Sequence, residues 1–261
     1  MRQYLPELLA LPLYPLLSLQ GKHVRRITPR LPEAGGPDHG VAHWTPPDGS
    51  PAPSQPPQAL RLVAIGESPV AGVGVELHTQ AITAQLAAML AQQAEKPVHW
   101  QAVGLNGADL ARALRELVPR LPSPEPAVDI ALIAFGVNDT TSFHSSARYR
   151  TELAQLVAAV QARLAPTLII LSGVPPMHEF PSLPQPLRFV LGQKARALDK
   201  ITETLARELS GVHYISMLFN TGESGLMAVD GYHPSEKGVL RWAQHMAAAM
   251  RLSIGQLGPK K

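Results

Sequence analysis

The sequence predicts an α/β protein in which helices cover both faces of a five-stranded parallel sheet, a three-layer sandwich. Short apolar runs alternate with segments of helical periodicity from residue 60 to residue 251. Strands separated by helices pair in parallel through right-handed crossovers, which puts helices on both faces. The 261 residues, 45% of them hydrophobic, suffice for one sizeable core.

The elements follow from apolar runs and from the turn residues between them. Strands are expected at 60–65, 98–103, 128–135, 167–174 and 212–216. Helices are expected at 74–93, 108–117, 146–164, 187–209 and 235–251. Together they define one domain over 58–255, preceded by an N-terminal segment, 1–57, and followed by a short tail, 256–261.

The N-terminal segment begins with an apolar block, Tyr4 to Leu19, that contains eight leucines and three prolines. Sixteen helical residues rise roughly 24 Å, which is short of the roughly 30 Å apolar core of a bilayer. We expect the block to pack on the domain, with peripheral membrane contact through residues 4–19 as the alternative. The block has the length of a secretion leader, but no cleavage site follows it. We therefore expect a cytoplasmic protein, with or without membrane association, and leave export open.

Residues 30–57 are rich in proline, glycine and polar side chains, with six prolines between Thr45 and Pro57. This composition predicts a linker or an extended wrap. His39 and His43 have the spacing of two metal ligands on a helix, but Gly40 and the neighbouring prolines favour a solvated loop instead.

Composition excludes some classes of function. A formal charge of +3 and a pI near 9.3 do not require a nucleic-acid partner. The absence of cysteine rules out disulfides, a thiolate nucleophile and cysteine-ligated metals. We expect no cofactor and no metal, and the oligomeric state stays open.

The first predicted strand ends in a sharp turn, Gly66-Glu67-Ser68, that directs a serine hydroxyl out of the sheet. We expect a helix to follow directly, whose N-terminus would favour a developing negative charge. A serine at such a turn is more often only a helix cap. The glycines that follow fit neither a dinucleotide-binding motif nor a phosphate-binding loop.

Three later loops lie at the same predicted edge of the sheet, where α/β folds bind ligands. They are Gly104-Leu105-Asn106-Gly107, Gly136-Val137-Asn138-Asp139 and the run from Asp230 to Ser235, DGYHPS. Each by itself is an ordinary turn sequence. Their order and spacing after the serine turn, taken together, indicate a functional site.

The four blocks together resemble the SGNH, or GDSL-like, hydrolases over about residues 60–251. The resemblance implies a flavodoxin-like sandwich with strand order 2-1-3-4-5. It also implies Ser68 as nucleophile, His233 as base and Asp230 as the acid that orients it. Backbone or side-chain N–H groups of Ser68, Gly107 and Asn138 would form the oxyanion hole, with Gly104 held in reserve for Gly107.

One position departs from the family pattern, because Glu67 stands where the family usually has aspartate. This position is not part of the implied triad, so the exchange bears on the geometry of the turn more than on the chemistry.

The resemblance implies a serine esterase that cleaves carboxylic esters of short or medium acyl chain through an acyl-enzyme. A lysophospholipase or a thioesterase would use the same residues, and a catalytically silent binding or membrane-interface module on this fold is a further alternative. Phe143, Leu187 and Met227 are the candidate substrate-binding residues. Leu183, Phe189 and Leu226 lie near them in the sequence and are also candidates.

Overall fold

A six-stranded sheet forms the centre of the protein in the computed structural model, which describes residues 5–46, 58–123, 125–217 and 223–254. The strands are β1 (His39–Ala42), β2 (Leu60–Gly66), β3 (Val98–Gly104), β4 (Ile130–Ala134), β5 (Leu168–Ser172) and β6 (Val212–Ile215). Their order is β1-β3-β2-β4-β5-β6. The strands from β2 to β6 are all parallel, and β1 is antiparallel to β3.

The five predicted strands are β2 to β6, and their spatial order is the 2-1-3-4-5 that the resemblance implies. The additional strand, β1, corrects the prediction of a solvated loop around His39 and His43. It has no apolar run and no fully buried side chain, so hydrophobic periodicity could not reveal it. It forms because the edge of β3 offers backbone partners, with His39 opposite Gln101 and Ala42 opposite Val98.

Seven α-helices accompany the sheet in the described residues. They are α1 (Leu5–Ile27), α2 (Ile82–Ala94), α3 (Leu110–Arg112), α4 (Val137–Thr141), α5 (Ser146–Leu164), α6 (Leu187–Glu208) and α7 (Glu236–Ile254). A π turn, Ala113–Leu117, and a 3-10 turn, Val118–Arg120, extend α3. The proline-rich residues 47–57, predicted as a linker, and the tail from 255 onwards lie outside the described residues.

The start of α2 differs from the prediction, because the helix begins at Ile82 rather than near residue 74. The intervening chain forms turns in which Gly72 and Gly74 have φ of +74° and +102°, and these values favour glycine over other residues. The helix N-terminus expected directly after Ser68 is therefore absent there.

Alternating side chains of the central strands fill two apolar layers, one on each face of the sheet. On β2, Val63 and Ile65 contribute to the layer beneath α5 and α6. Leu62 and Ala64 contribute to the layer beneath α2 and α7. This two-sided burial is what a parallel sheet covered by helices on both faces requires, and it leaves the carboxyl ends of the strands for the site.

The N-terminal apolar block forms most of α1, which contains Pro12 and Pro15 and packs against α6. Leu17 and Val24 are buried in the core. The Gln20 side chain donates to the Gln185 carbonyl at 2.7 Å and accepts from the Leu187 N–H at 3.1 Å. Within the part of the chain that the structure describes, neither α1 nor another helix is long and apolar enough to cross a membrane.

Candidate active site

The turn that carries Ser68 is fixed to the carboxyl end of β2 and to its neighbour β4. The Glu67 N–H donates to the Ala134 carbonyl at 3.1 Å, and the Glu67 carbonyl accepts from the Val70 N–H at 3.0 Å. A Cβ on Gly66 would lie 2.3 Å from Val70 Cγ2, so only glycine permits this closure. The arrangement holds Ser68 at the sheet edge, 7% exposed.

His233 and Asp230 form an oriented pair in the loop before α7. His233 Nδ1 lies 2.6 Å from Asp230 Oδ2, while Asp230 Oδ1 accepts the backbone N–H groups of Tyr232 and His233 at 2.9 and 3.0 Å. The carboxylate therefore shapes the turn with one oxygen and orients the ring with the other. Asp230 is buried, which strengthens the interaction.

The histidine ring is also held by aromatic packing. The Tyr232 ring lies edge-on to both His233 and Phe180, with centroids 5.3 Å apart in each case. Burial raises the pKa of the Tyr232 phenol, so the hydroxyl stays neutral beside the site.

Ser68 and His233 come from distant parts of the chain and meet because the two loops pack closely. A Cβ on Gly74, in the turn after Ser68, would lie 2.3 Å from the Pro234 carbonyl oxygen and 3.3 Å from His233 Cβ. Both Ser68 and His233 line one cavity of about 710 Å³. The two residues therefore border a common space.

This cavity runs along the carboxyl ends of four adjacent strands. Its wall includes Ser68 after β2, Phe135 after β4, Gly173 after β5 and Met217 after β6. Trp242 of α7 closes part of the wall. Neighbouring strands lie about 4.8 Å apart, so the three intervals from β2 to β6 span about 14 Å. The cavity is thus mainly apolar and elongated.

The two remaining predicted donors, Gly107 and Asn138, are not among the residues that line this cavity. Gly107 has φ of +73°, and a Cβ there would meet no atom within 4 Å, so its conformation rather than crowding favours glycine. The Asn138 amide nitrogen donates to the Ala108 carbonyl at 3.1 Å, which places Asn138 against the Gly107 turn. Gly104, the reserve candidate, instead packs against the backbone of Ala71.

Asn138 is also bonded to the residue that departs from the family pattern. Its amide nitrogen donates to Glu67 Oε2 at 2.5 Å, and the backbone N–H groups of Val137 and Asn138 donate to the same carboxylate at 2.9 and 3.0 Å. Burial raises the pKa of Glu67 to about 8, and these three hydrogen bonds oppose the rise. Glu67 thus ties the serine turn to the first turn of α4.

The candidate substrate-binding residues are only partly gathered at the cavity. Met227 and Leu226 line it, whereas Phe143, Leu183, Leu187 and Phe189 are not among its lining residues. Leu187 is buried in the core, and Phe143 is partly buried against that core. The sequence did not indicate that Glu67 connects the serine turn to α4. The packing of Tyr232 on His233 could have been predicted, because the two residues are neighbours in DGYHPS.

Comparison with known proteins shows the family and the fold. The profile of the GDSL-like Lipase/Acylhydrolase family matches residues 64–240. A search of curated protein sequences finds no significant match. Three similar solved structures, an extracellular lipase from Streptomyces rimosus, a lipase/acylhydrolase from Enterococcus faecalis and a carbohydrate acetylesterase from Sinorhizobium meliloti, show the same fold.

The lipase from Streptomyces rimosus is 18% identical, with a TM-score of 0.57 over 73% of this chain and 99% of that one. The Enterococcus faecalis protein is 18% identical, with a TM-score of 0.56 over 74% of this chain and 96% of that one. The Sinorhizobium meliloti enzyme is 19% identical, with a TM-score of 0.53 over 74% of this chain and 99% of that one. Identities this low show the fold alone, whereas the profile match spans all four blocks, from the serine turn to the loop of His233. The chain therefore belongs to the GDSL-like lipase/acylhydrolase family, and it is a hydrolase of that family.

Proposed function

We propose that this hydrolase is a serine esterase whose working residues are Ser68, His233 and Asp230. One observation carries the proposal: the histidine oriented by Asp230 at 2.6 Å lines the same cavity as the serine held at the sheet edge. A serine hydroxyl is a weak nucleophile near neutral pH, and a neighbouring imidazole removes its proton during attack.

The reaction follows from these roles in two halves. Ser68 Oγ attacks the ester carbonyl while His233 takes its proton, and the imidazolium then protonates the leaving alcohol, which leaves an acyl-enzyme. Water then attacks the acyl carbonyl and gives a proton to His233, and His233 returns that proton to Ser68 Oγ as the bond to the acyl group breaks and the acid leaves. Asp230 keeps Nδ1 protonated throughout and stabilises the imidazolium.

The negative oxygen of each tetrahedral intermediate needs donors that are already in place. The backbone N–H groups of Ser68 and Gly107 and the side-chain amide of Asn138 are the proposed donors. Both amide hydrogens of Asn138 have acceptors, Glu67 and Ala108, so the amide must share one of them with the oxyanion. Preorganised donors of this kind typically supply about 2.7 to 4 kcal/mol each.

The elongated apolar cavity supports an acyl chain of short or medium length. Its span of about 14 Å from β2 to β6 matches such a chain lying along the strand ends, and its volume of about 710 Å³ falls within the usual range of ligand sites. Phe143 and Leu187 do not line the cavity, so they would affect binding of the acyl chain only through neighbouring residues.

A second candidate, a lysophospholipase, draws support from α1. Leu11, Tyr14 and Leu19 expose 76%, 68% and 66% of their surface on the side away from the core. Lys22, Arg25 and Arg26 follow them along the helix. An apolar face next to basic residues suits peripheral contact with anionic lipid, so we extend the proposal to lipid esters taken from a membrane surface. A thioesterase would use the same machinery.

Labelling by a fluorophosphonate probe tests the proposal, because only an activated serine reacts. The wild type should be labelled and should hydrolyse p-nitrophenyl esters, and Ser68→Ala should do neither while it melts as the wild type does. Ser123→Ala, which changes an exposed serine, is the matched control and should retain both properties. Equal labelling of Ser68→Ala and the wild type would refute the catalytic assignment.

A further inference from the structure

A group of ionisable side chains lies beside the proposed oxyanion donors and takes no part in the proposed mechanism. Asp139 follows Asn138 in α4, His144 lies in the loop after α4, and Glu152 belongs to α5. One ligand atom from each of the three lies within 4.8 Å of the other two. The fold thus assembles an imidazole and two carboxylates that the sequence holds apart.

Two oxygens in this group are buried without a partner. Asp139 is fully buried; its Oδ1 lies 3.0 Å from His144 Nδ1, and its Oδ2 makes no hydrogen bond of normal geometry, although the backbone N–H of Leu110 also interacts with the carboxylate. Glu152 Oε1 accepts from Arg148 Nε at 2.8 Å, and its buried Oε2 makes none. Unpaired buried carboxylate oxygens are costly, so such atoms call for a ligand.

The charges around the group favour a cation. Asp109 is a third carboxylate, with Oδ2 3.8 Å from His144 Nε2. Arg148 supplies one positive charge, and it reaches Glu152 from a half-exposed position. A second guanidinium, that of Arg112, lies near Asp109. Three carboxylates therefore face two guanidinium groups, which leaves an excess of negative charge at a mostly buried place.

We propose that Asp139, His144 and Glu152 bind a divalent transition-metal ion of the zinc type. One imidazole nitrogen and two carboxylate oxygens form a donor set that zinc accepts, with water in the fourth position. Nδ1 is the ring nitrogen on the Asp139 side. The ligand atoms of the three residues lie within 4.8 Å of one another, and binding would bring them to separations of about 3.4 Å, the value for tetrahedral angles at bond lengths of about 2.1 Å.

The second ring nitrogen completes the arrangement. A histidine that binds a metal usually donates its other N–H to a carboxylate, and Nε2 faces Asp109 Oδ2. The ion would join α4 to α5 directly behind Asn138, and Asp109 would bring in the turn that carries Gly107. It is therefore a structural ion that fixes the two oxyanion loops, not a participant in the reaction.

Zinc uptake by the full-length protein tests the proposal. After equilibration with zinc chloride and gel filtration, the wild type should retain one zinc per chain and melt at a higher temperature. Cobalt should replace zinc and give saturable visible absorption bands at one ion per chain. Folded wild-type protein that takes up neither ion in a saturable way would overturn the proposal, and so would cobalt uptake without those bands.

Two variants of one ion pair separate the site from adventitious binding by the ten histidines of the chain. Glu152→Gln removes a ligand and should abolish retention. Arg148→Gln breaks the same ion pair but leaves the carboxylate, so it should keep zinc at least as tightly. Asp109→Asn should weaken binding about 10- to 100-fold. If Glu152→Gln, shown by circular dichroism to be folded, retained zinc as the wild type does, the assignment would be wrong.

Discussion

The buried carboxylate of Glu67 accepts a hydrogen bond from the side-chain amide of Asn138 at 2.5 Å. Glu67 precedes the proposed nucleophile, and Asn138 is a proposed oxyanion donor. The two backbone N–H groups at the start of α4 donate to the same carboxylate. The glutamate that replaces the family's usual aspartate thus holds the serine turn and the oxyanion turn in one arrangement.

Replacing Asn138 by alanine should lower kcat far more than it raises KM. The amide is needed mainly when charge develops on the carbonyl oxygen, and a lost donor typically costs about 2.7 to 4 kcal/mol of barrier, or roughly 100- to 1,000-fold in rate. Steady-state kinetics on p-nitrophenyl esters measure both constants. Asn106→Ala, in the neighbouring turn and exposed, should change neither; a pure KM effect in Asn138→Ala would instead make Asn138 a substrate-binding residue.

Replacing Asp230 by asparagine should reduce kcat strongly without abolishing it. The asparagine can still shape the turn, but it stabilises neither the required tautomer nor the imidazolium. His233→Ala should reduce activity further, since it removes the base itself. Single-turnover measurement of acyl-enzyme formation compares the two variants. If Asp230→Asn equalled the wild type, a serine–histidine pair alone would carry the reaction.

Glu67 should make the stability of the protein depend on pH. Its folded-state pKa is raised from the ordinary value of 4.5 to about 8 because burial disfavours the charge. The folded state therefore binds the proton more tightly, and this contribution is complete below pH 4.5 and disappears as pH rises through 8. The free energy of unfolding of the wild type, relative to Glu67→Gln, should fall over this interval by at most about 1.4 kcal/mol per pH unit. Urea unfolding of both proteins at pH 5, 6.5 and 8 measures this difference. If the unfolding free energies of the wild type and Glu67→Gln changed in parallel with pH, the prediction would be wrong.

Trp242 should limit the length of the acyl chain. It shares its apolar layer with Ile215 of β6, the strand farthest from β2 along the cavity. Trp242→Ala should shift the optimum of kcat/KM towards longer p-nitrophenyl esters, at a cost of about 3 to 5 kcal/mol in stability. Trp242→Phe keeps an aromatic wall and should preserve the optimum. An unchanged optimum in folded Trp242→Ala would place the acyl chain elsewhere.

The exposed face of α1 should mediate the proposed membrane contact. Replacing Leu11, Tyr14 and Leu19 together by serine removes that face and leaves the packing of Leu17 and Val24 in place. The wild type should sediment with anionic liposomes and be released by salt, whereas the variant should remain in solution with unchanged hydrolysis of soluble esters. Sedimentation of the variant at the wild-type level would refute this role.

The sequence by itself determined the parallel sheet, its five main strands and the turns that carry Ser68, Asn138, Asp230 and His233, whereas the order of the strands came from the family resemblance. These features are local: apolar runs define strands, and glycine, asparagine and aspartate mark the turns at their ends. Because the carboxyl ends of parallel strands share one edge, the candidate residues could be placed together before any coordinates were known.

Only the tertiary structure decided features that depend on contacts between distant segments. β1 exists because β3 has a free edge, and α2 starts late because the chain after Ser68 forms glycine turns, one of which packs on the loop of His233. The bond between Glu67 and Asn138, the extent of the apolar cavity and the cluster of Asp139, His144 and Glu152 each join residues from different elements. Sequence periodicity reports which face of an element is apolar, but it carries no information about which side chains from other elements will meet there.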